Sequence, residues 1–387
     1  METTADAVII GGGVMGCSIL YNLAVRGMKN LVLLEGDVLG SGSTGKSQAI
    51  CRMHYSNPIT ATMAWESLHV YRSFPDVVGA DSGFVQTGYL VVVNPEDRDA
   101  MELNVKMQQD LGIDTNMVSV EDVGEVAPML DVRDAGGLAY EPQSGYADPY
   151  SVTSGYATRA RDMGAVIHMR SPAISIETST GRIRAVNTNQ GRIETPVAVV
   201  AAGPWARPLM LTLGVDLPLE TVRHQVLMMR RPEDTLPTHP GVGDIAQRFS
   251  FRPDSTNLTL VGAGEDPAEP DTYNQGVDMP MVEEYTSKLI RRMPAMDQGF
   301  FRGGWSGLFT ITPDWHPILD QVRDIQGLYC AVGFSGHGFK LAPMVGTSMA
   351  DLILGVSSTT LDISQLRLSR FEEGDLMRSR YQYNVLA

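Results

Sequence analysis

The chain has 387 residues, of which 43% are hydrophobic, and its formal net charge is −15. A chain of this length is expected to form more than one domain, and its hydrophobic fraction is sufficient for two cores. The strong negative charge disfavours nucleic acid and anionic membrane surfaces as partners. The cysteines at positions 17, 51 and 330 have no metal-binding spacing, so we expect reduced thiols and no metal site.

The sequence contains no apolar run of the length that a membrane span needs. Its first predicted strand also begins without the basic region and apolar core of a leader peptide. We therefore expect a cytoplasmic protein.

The first motif, AVIIGGGVMGCSILYNLAVRGMKNLVLLEGD, spans residues 7–37 and predicts a strand, a glycine turn, a helix and a second strand. Gly11 permits the tight turn, Gly13 lets backbone amides approach a pyrophosphate at the positive helix N-terminus, and Gly16 lets the helix lie close to the strand. Glu35 ends the second apolar run, where its carboxylate is placed to bind a ribose 2′-hydroxyl. These features together predict dinucleotide binding, and an ordinary strand, helix and strand unit is the alternative.

The remaining chain alternates between strand and helix patterns. Periodicity predicts helices over residues 59–74, 95–111, 149–163, 204–214, 282–293 and 342–354. It predicts a hairpin or strand pair over 83–94, and further strands over 191–203, within 217–264 and over 328–332. This order predicts a discontinuous nucleotide-binding domain with a mostly β domain inserted in two pieces. The predicted bounds are 1–82, 145–215 and 325–360 for the nucleotide-binding domain, 83–144 and 216–324 for the inserted substrate domain, and 361–387 for a polar C-terminal tail.

Four sequence blocks carry a resemblance to a known family. They are AVIIGGGVMGCSILYNLA, VVAAGPWA, FTITPDWHPILD and GLYCAVGFSGHGFKLAP, in this order along nearly the whole chain. The sequence resembles the D-amino-acid oxidase superfamily of FAD enzymes, and within it the sarcosine oxidase and dimethylglycine dehydrogenase branch. The resemblance implies an α/β fold, α+β overall, in which a Rossmann-like FAD-binding domain carries an inserted, mainly antiparallel β-sheet substrate domain.

The resemblance also implies a reaction. Family members oxidise the C–N bond of an amino acid or N-methyl amino acid, of the sarcosine or dimethylglycine kind. A hydride passes to flavin N5, and the imine that forms hydrolyses in water. The expected partner is therefore a small-molecule amine that carries a carboxylate, and the protein mainly has to orient it.

By resemblance, the catalytic residues are Arg52, Lys340 and His337. Arg52 and Lys340 match the family residues that bind the substrate carboxylate, and a planar guanidinium binds a carboxylate through two charge-assisted hydrogen bonds. His337 lies in a glycine-flanked turn, where packing against the flavin edge is as good an interpretation as catalysis. Monomeric sarcosine oxidases have a second arginine at the position of Ala49, so this chain departs from their pattern.

Further candidates come from aromatic residues and from one loop. Phe251 is assigned to substrate binding, with Phe249 and Trp305 as further aromatic candidates to cover the substrate. The loop that contains Asp314 is expected to pass close to the flavin, and Asp314 is equally well explained as a turn former.

The resemblance assigns FAD contacts to the glycine motifs and their neighbours. These residues are Gly11, Gly13, Val14, Met15, Gly16, Glu35, Ser43, Thr44, Lys46, Ala202, Gly203, Trp205, Gly307, Gly333, Gly336, His337, Gly338, Phe339 and Lys340. We expect FAD to be held without a covalent bond. Relatives attach it through a cysteine that matches Gly307 or a histidine that matches Lys46, and this chain has neither nucleophile there.

The electron acceptor is expected to be other than oxygen. Monomeric sarcosine oxidases use a lysine of the substrate domain to stabilise the superoxide that forms beside flavin N5. That lysine aligns with Thr259, whose neutral hydroxyl lacks the required charge. The sequence therefore favours a dehydrogenase over an oxidase, with an electron-acceptor protein or a quinone as a further partner.

Two other functions stay open at this point. An FAD monooxygenase of the hydroxybenzoate type shares the glycine motif and a β-sheet domain, but it needs a site for NAD(P)H, and the GFSGHGFK turn argues against it. A flavoprotein subunit of a hetero-oligomeric dehydrogenase complex is compatible with the charge and the length, which leave the oligomeric state open. Gel filtration combined with a screen of amines separates such a subunit from a free-standing enzyme.

Overall fold

The computed structural model of the chain describes residues 2–232, 236–356 and 361–381. The predicted domain ranges also include residues 357–360 and 382–387, which lie outside the described residues. Within the described ranges, no helix has both the length and the apolar character that crossing a bilayer requires.

The described residues form α-helices and short 3₁₀ turns. The α-helices are α1 Val14–Val25, α2 Pro58–Arg72, α3 Phe74–Val77, α4 Arg98–Asp110, α5 Val123–Val126, α6 Pro149–Asp162, α7 Ala206–Leu211, α8 Met279–Arg292, α9 Ala342–Leu354 and α10 Arg370–Glu373. The 3₁₀ turns are Thr44–Lys46, Pro95–Asp97, Gly203–Trp205, Pro294–Gln298, Phe339–Leu341 and Ser364–Leu366.

The strands of the described residues form one six-stranded sheet, one eight-stranded sheet and two three-stranded sheets. They are β1 Ala7–Ile10, β2 Leu31–Leu34, β3 Ile50–Cys51, β4 Val85–Gln86, β5 Tyr89–Val93, β6 Asn116–Val118, β7 Gly137–Glu141, β8 Gly145–Tyr146, β9 Val166–His168, β10 Ala173–Ser179, β11 Arg182–Thr188, β12 Gly191–Glu194, β13 Ala198–Val200, β14 Glu220–Arg230, β15 Gly241–Asp244, β16 Phe249–Pro253, β17 Leu258–Pro267, β18 Phe300–Ile311, β19 Ile318–Gln321 and β20 Leu328–Val332.

Several predicted elements have the observed bounds or nearly so. α9 and β20 begin and end where the sequence predicts, and α6 ends one residue earlier. α8 begins three residues before the predicted start, because Pro280 is tolerated in the first turn of a helix. The predicted hairpin over residues 83–94 is wrong. β4 pairs with β8, whereas β5 pairs with β7 and β15.

The six-stranded sheet has the order β19-β20-β13-β1-β2-β9 and is parallel except for β19. β1, β2, β13 and β20 are buried over their whole length, as expected for continuous apolar runs in a sheet that is covered on both faces. α1 and α9 pack on one face, and α7 packs on the other with the sheet β10-β11-β12. This is the predicted Rossmann-like arrangement. The predicted domain bounds need correction here, because β19 belongs to this sheet although the predicted substrate domain includes it. β4 is likewise in the predicted substrate domain but forms a sheet with β3 and β8.

The predicted strand over residues 191–203 is two strands in different sheets. β12 pairs with β11, and β13 pairs with β1 and β20. Pro196 lies between them and lacks the amide that a continuous ladder would need. The sheet β10-β11-β12, which the sequence prediction omits, therefore stands apart from the six-stranded sheet.

The eight-stranded sheet has the order β18-β14-β17-β16-β15-β5-β7-β6 and is antiparallel except between β15 and β5. Alternation along β16 places Phe251 and Arg252 on opposite faces. Phe251 packs with Val261 and Leu289 in the core under α8. Arg252 faces the nucleotide-binding half, where its Nε donates to Gln48 O at 2.6 Å. The face that carries Arg252 is therefore the one directed at the nucleotide-binding half.

Residues 361–381 are packed into the structure rather than forming only a polar tail. Arg370 is fully buried, and its guanidinium donates two hydrogen bonds to the Asp314 carboxylate, at 2.8 and 2.9 Å. Arg370 also donates to His316 O at 2.7 Å, and Met377 N donates to Asp314 at 3.3 Å. Burial raises the pKa of Asp314, but the bonds and charge of Arg370 outweigh it and hold that pKa below its usual value. Asp314 is therefore an anchor for the C-terminal residues. Its Oδ1 also accepts from His316 N at 3.2 Å, which is the turn-forming role that the sequence allows for it.

We predict that Arg370→Ala lowers the free energy of unfolding by about 3–5 kcal/mol, because it leaves a buried carboxylate without its partner. Arg367→Ala is the matched control. Arg367 pairs with Glu373 and Asp375, which are partly exposed, and such pairs contribute about 1 kcal/mol or less. Urea unfolding followed by circular dichroism measures both variants, and equal losses of stability would contradict the anchoring role.

Candidate active site

A cavity of about 680 Å³ lies at the carboxyl ends of the parallel strands, beside β18 of the eight-stranded sheet. Typical ligand sites have volumes of about 300–1,000 Å³. This edge of a parallel sheet is also where such folds bind dinucleotides. The predicted cofactor residues that line the cavity are Gly11, Gly13, Val14, Met15, Glu35, Ser43, Thr44, Lys46, Ala202, Gly203, Trp205, Gly336, Gly338 and Phe339.

Gly11 and Gly16 set the close approach of α1 to the sheet. The φ of Gly11 is 114°, in a region that favours glycine. A Cβ at Gly11 would lie 2.4 Å from Ala201 O, and a Cβ at Gly16 would lie 1.9 Å from Gly11 O. A larger residue at either position would displace α1, whose N-terminus now points its partial positive charge into the cavity.

Glu35 follows β2 and lines the cavity. Its Oε2 accepts from Gly12 N at 2.6 Å, and its Oε1 accepts from Asp37 N at 2.8 Å. These bonds orient the carboxylate, which retains further acceptor positions. Glu35 is therefore placed to accept a ribose hydroxyl, the role that the sequence predicts for it.

The glycine turn over residues 333–338 forms another part of the cavity wall. Gly336 has a φ of 81°, and a Cβ there would lie 2.4 Å from the Phe309 ring. A Cβ at Gly338 would lie 2.9 Å from the Met15 methyl group. Glycine is needed at both positions to leave the space open. A helix N-terminus for a pyrophosphate, a carboxylate for a ribose and an open glycine turn fit FAD, and these three features would hold it.

The other predicted cofactor residues lie behind the cavity wall. They are Gly16, Gly307, Gly333, His337 and Lys340. Gly333 acts through packing, since a Cβ there would lie 2.4 Å from the Thr312 side chain. Gly307 adjoins Lys46, whose Cβ would lie 2.9 Å from a Cβ at Gly307.

Arg52 and Lys340 belong to one buried cluster beside the glycine turn. Only 3% of Arg52 and 7% of Lys340 is exposed. The Arg52 guanidinium lies 4.6 Å from the centre of the Tyr55 ring and donates to His54 O, while Lys340 Nζ donates to His337 O at 3.4 Å. Burial holds the pKa of Lys340 well below its usual value, and the charge of Arg52 lowers it further. The structure thus brings together the two cations that the resemblance assigns to a carboxylate.

His337 connects this cluster to the loop around Trp315. Its Nε2 lies 2.7 Å from Trp315 O, which can only accept, so Nε2 carries the hydrogen. Nδ1 is then the acceptor for the Tyr55 hydroxyl at 3.3 Å. Burial holds the pKa of His337 well below its usual value, and the charge of Lys340 lowers it further, so the ring is neutral. This geometry makes His337 a positioning residue for Tyr55. The Tyr55 ring in turn packs against the Arg52 guanidinium.

Glu141 is absent from the predicted site residues, yet it is a fully buried carboxylate in this cluster. Its Oε2 accepts from Met53 N at 2.9 Å and from Ser144 Oγ at 2.7 Å. Burial raises its pKa, while these hydrogen bonds and the charges of Arg52 and Lys340 act in the opposite direction. An acidic residue at the end of the otherwise buried strand β7 is the sequence signal that identifies it.

His54 and Tyr381 extend the cluster toward the C-terminal residues. His54 Nε2 lies 2.5 Å from the Tyr381 hydroxyl, and its Nδ1 lies 4.0 Å from Glu141 Oε1. Burial lowers the pKa of His54 to about 3, and Arg52 contributes to the shift. A neutral His54 therefore lies between a buried phenol and a buried carboxylate, and sequence spacing alone gives no sign of this contact across 327 positions.

The predicted substrate contact of Phe251 is wrong. Phe251 is fully buried in the core under α8, on the face of the eight-stranded sheet that points away from the nucleotide-binding half. Its ring packs against Phe249 and His239, at 5.4 and 5.5 Å between centres. Phe249 shares this core, while Trp305 is partly buried and donates from Nε1 to Lys46 O at 2.9 Å.

Thr259 lies on the same far face as Phe251. His239 Nδ1 donates to Pro240 O at 2.8 Å, so its Nε2 accepts from the Thr259 hydroxyl at 2.8 Å. Neighbouring residues of a strand point to opposite faces, and a shift of one position in an alignment reverses the face. Thr259 is therefore not beside the flavin cavity and gives no basis for choosing between oxygen and another electron acceptor.

The cysteines and the metal-ligand residues add no further site in the described part of the chain. Burial raises the pKa of Cys17, Cys51 and Cys330 to about 12, so each is protonated at neutral pH. No group of three or more His, Cys, Asp or Glu residues in residues 2–232, 236–356 and 361–381 is arranged to hold a metal ion.

A family model described as DAO, FAD dependent oxidoreductase, matches residues 6–352. The chain belongs to this family. This is the family of FAD-dependent oxidoreductases that the sequence resemblance predicts.

Relatives of this FAD-dependent oxidoreductase include mitochondrial sarcosine dehydrogenase from Homo sapiens, which is 26% identical over 368 residues that cover 92% of this chain and 40% of the relative. Mitochondrial dimethylglycine dehydrogenase from Rattus norvegicus is 27% identical over 369 residues, covering 90% of this chain and 43% of the relative. The chain thus spans less than half the length of these curated relatives. The crystal structure of L-proline dehydrogenase from P. horikoshii superposes with a TM-score of 0.89 and 26% identity, covering 97% of this chain and 100% of that chain.

We predict that this DAO family member binds its FAD without a covalent bond. Gly307 offers no nucleophile, and Lys46 Nζ donates to Tyr273 OH and Gln275 Oε1, at 3.0 and 2.6 Å. Acid precipitation should leave all of the yellow colour in the supernatant, and the absorption spectra of pellet and supernatant measure it. Flavin colour that stays with the washed pellet would contradict this prediction.

We also predict that binding of a carboxylate takes up a proton. Burial and Arg52 lower the pKa of Lys340 in the free enzyme, whereas a bound carboxylate would stabilise the ammonium and raise it. At a pH between the pKa of Lys340 in the free protein and its higher pKa in the complex, the bound state holds one more proton. Calorimetric titration with propionate in buffers of different ionisation enthalpy measures the uptake, and Lys340→Met should abolish it. A binding enthalpy that is the same in every buffer would place Lys340 outside the ligand site.

Proposed function

We propose that this chain oxidises the C–N bond of an amine that carries a carboxylate, with FAD as the hydride acceptor. The observation that carries the proposal is the burial of Arg52 and Lys340 in one cluster beside the cavity that fits FAD. Burial and the charge of Arg52 disfavour the charged form of Lys340, and a bound anion would favour it, so this pair of basic residues suits an anionic ligand.

The charges of the cluster support a ligand with a single carboxylate. Once a bound carboxylate has restored the proton of Lys340, Arg52 and Lys340 would carry two positive charges, and an ionised Glu141 would carry one negative charge. One further carboxylate balances the cluster. Arg52 would bind it with its planar guanidinium, which Tyr55 supports from one side, and Lys340 would add a second ligand from the glycine turn.

The main task of these residues is orientation. FAD supplies the redox chemistry when it is bound. A carboxylate fixed by Arg52 and Lys340 holds the neighbouring carbon and nitrogen in one position relative to the cavity, which lowers the barrier by restricting the reactants. Because Arg52 and Lys340 are almost fully buried, their bonds to the substrate face little competition from water.

The names of the relatives narrow the class of amine. Sarcosine, dimethylglycine and proline are secondary or tertiary amines in which the nitrogen is separated from a carboxylate by one carbon. We propose a substrate of this kind, either N-methylated or cyclic. Tyr55 and Tyr89 are buried side chains that contact Arg52, and they would limit the size of the substrate.

A second candidate is a flavoprotein subunit of a larger dehydrogenase, and the length of the relatives favours it. The chain spans less than half of sarcosine dehydrogenase and of dimethylglycine dehydrogenase, so the matching part of each of these two relatives is joined to further sequence. Such a subunit would pass electrons to an acceptor protein or a quinone. Gel filtration of the purified chain, followed by the amine screen on the isolated fraction, tests this candidate, because turnover by the isolated chain with a dye as acceptor would contradict it.

The carboxylate site is tested by Arg52→Ala. Losing hydrogen bonds to a charged group typically costs about 1.5–3 kcal/mol, so kcat/KM for an amino acid substrate should fall by roughly ten- to over a hundredfold. Arg133→Ala is the control, since Arg133 is exposed and pairs with Asp131 far from the cluster. Steady-state kinetics with a dye as acceptor measure both variants. An unchanged kcat/KM in Arg52→Ala would remove Arg52 from the substrate site.

A further inference from the structure

Residues 268–278, between β17 and α8, form an irregular stretch that we call the cover segment. Pro270, Asp271, Tyr273 and Gln275 line the cavity that fits FAD. Much of the same segment is exposed to solvent. The segment is therefore a wall that separates the cavity from the surrounding water, and none of the cofactor residues assigned from the sequence lies in it.

The C-terminal end of the cover segment is anchored to the eight-stranded sheet. Arg223 of β14 is almost fully buried and donates to Asn274 O at 2.8 Å and to Gly276 O at 2.7 Å. It also forms an ion pair with Asp278. Because these bonds involve backbone carbonyls and a buried guanidinium, this end of the segment is fixed.

The middle of the cover segment is held by side chains from the other side of the cavity. Lys46 Nζ donates to Tyr273 OH at 3.0 Å and to Gln275 Oε1 at 2.6 Å. Trp205 Nε1 donates to Asp271 Oδ1 at 2.8 Å. Lys46 and Trp205 end the 3₁₀ turns Thr44–Lys46 and Gly203–Trp205, and both line the cavity. These bonds join the two halves of the molecule across the cavity.

We propose that the cover segment is a latch that retains FAD. Lys46 and Trp205 keep it closed, and Arg223 anchors its fixed end. Breaking the bonds of Lys46 and Trp205 frees residues 270–273 from the opposite wall, whereas the backbone of Gln275 stays at the fixed end, since Ser306 N donates to its carbonyl oxygen at 2.8 Å. The bonds of Arg223 then still hold the fixed end. The bonds that must break are few and belong to partly exposed side chains, so the latch opens far more readily than either domain unfolds.

This inference assigns Lys46 a function that differs from direct attachment of the flavin. Its ammonium points to the cover segment and is the strongest hydrogen-bond donor that keeps the segment closed. Loss of these charge-assisted bonds should therefore open the latch more than the loss of any neutral one. The inference rests on FAD binding by the family and is independent of the substrate proposed above.

The test measures the release of FAD from purified holoenzyme, not turnover. Lys46→Met keeps the length and the apolar stem of the side chain and removes the ammonium. After dilution, the rise in free flavin fluorescence should be roughly ten- to a hundredfold faster than in the unmodified protein. Lys288→Met is the matched control, because Lys288 pairs with Glu284 and lies 4.2 Å from the Tyr285 ring centre, but does not line the cavity. Its release rate should be unchanged.

Two further measurements keep the outcome unambiguous. Chymotrypsin should cut the Lys46→Met holoenzyme at Tyr273 faster than the unmodified holoenzyme, and circular dichroism should show the same fold in both. If Lys46→Met does not fold, Tyr273→Phe and Trp205→Phe are used in its place, with faster release again expected. A release rate within twofold of the unmodified protein in a folded variant would overturn the latch. A protein that retains FAD but oxidises no amino acid would overturn the proposed substrate and leave the latch intact.

Discussion

Burial of Arg52 and Lys340 next to each other is the constraint on which the site depends. Each buried charge loses several kcal/mol of hydration, and two like charges also repel. Glu141 offsets part of this cost, and its carboxylate is itself held by Met53 N and Ser144 Oγ. Burial and Arg52 lower the pKa of Lys340, and the carboxylate of the proposed substrate would favour its charged form, so the electrostatics of the cluster agree with the proposed anionic ligand.

Residues from distant parts of the chain meet in the cluster. β3 leads into Arg52, the glycine turn after β20 carries Lys340, and β7 ends at Glu141. The C-terminal residues contribute Tyr381, whose hydroxyl contacts His54, and Arg370, whose guanidinium fixes the loop that carries Trp315 O. Orientation of the cluster is therefore a property of the whole fold.

Local patterns in the sequence were sufficient for the first strands, the glycine motif and β20 of the nucleotide-binding half, but not for its sheet β10-β11-β12. The apolar runs of β1, β2 and β20, and the spacing of Gly11 and Gly16, depend on neighbours within a few turns, and their roles in the structure follow the prediction. Arg52 and Lys340 came from the family resemblance, because no periodicity marks a residue that meets its partners only in the folded chain. Arg370 was missed for the same reason, whereas Glu141 has a local signal, an acidic residue at the end of an apolar strand.

The wrong predictions for Phe251 and Thr259 come from the alternation of side chains between the two faces of a strand. Phe251 and Thr259 lie in the expected strands, but their side chains point into the core under α8. The period of a strand is two, so a shift of one residue in the alignment exchanges the two faces. The hairpin over residues 83–94 failed differently, because two neighbouring strands took partners elsewhere in the chain.

The most direct test of the central claim compares matched pairs of amines under anaerobic conditions. Holoenzyme is mixed with proline or pyrrolidine, and with sarcosine or dimethylamine, and the loss of the yellow flavin absorption is followed in time. If Arg52 and Lys340 select a carboxylate, at least one amino acid should bleach the flavin, and its partner without a carboxylate should do so roughly a hundredfold more slowly or not at all. Equal rates for an amine with and without its carboxylate would contradict the account.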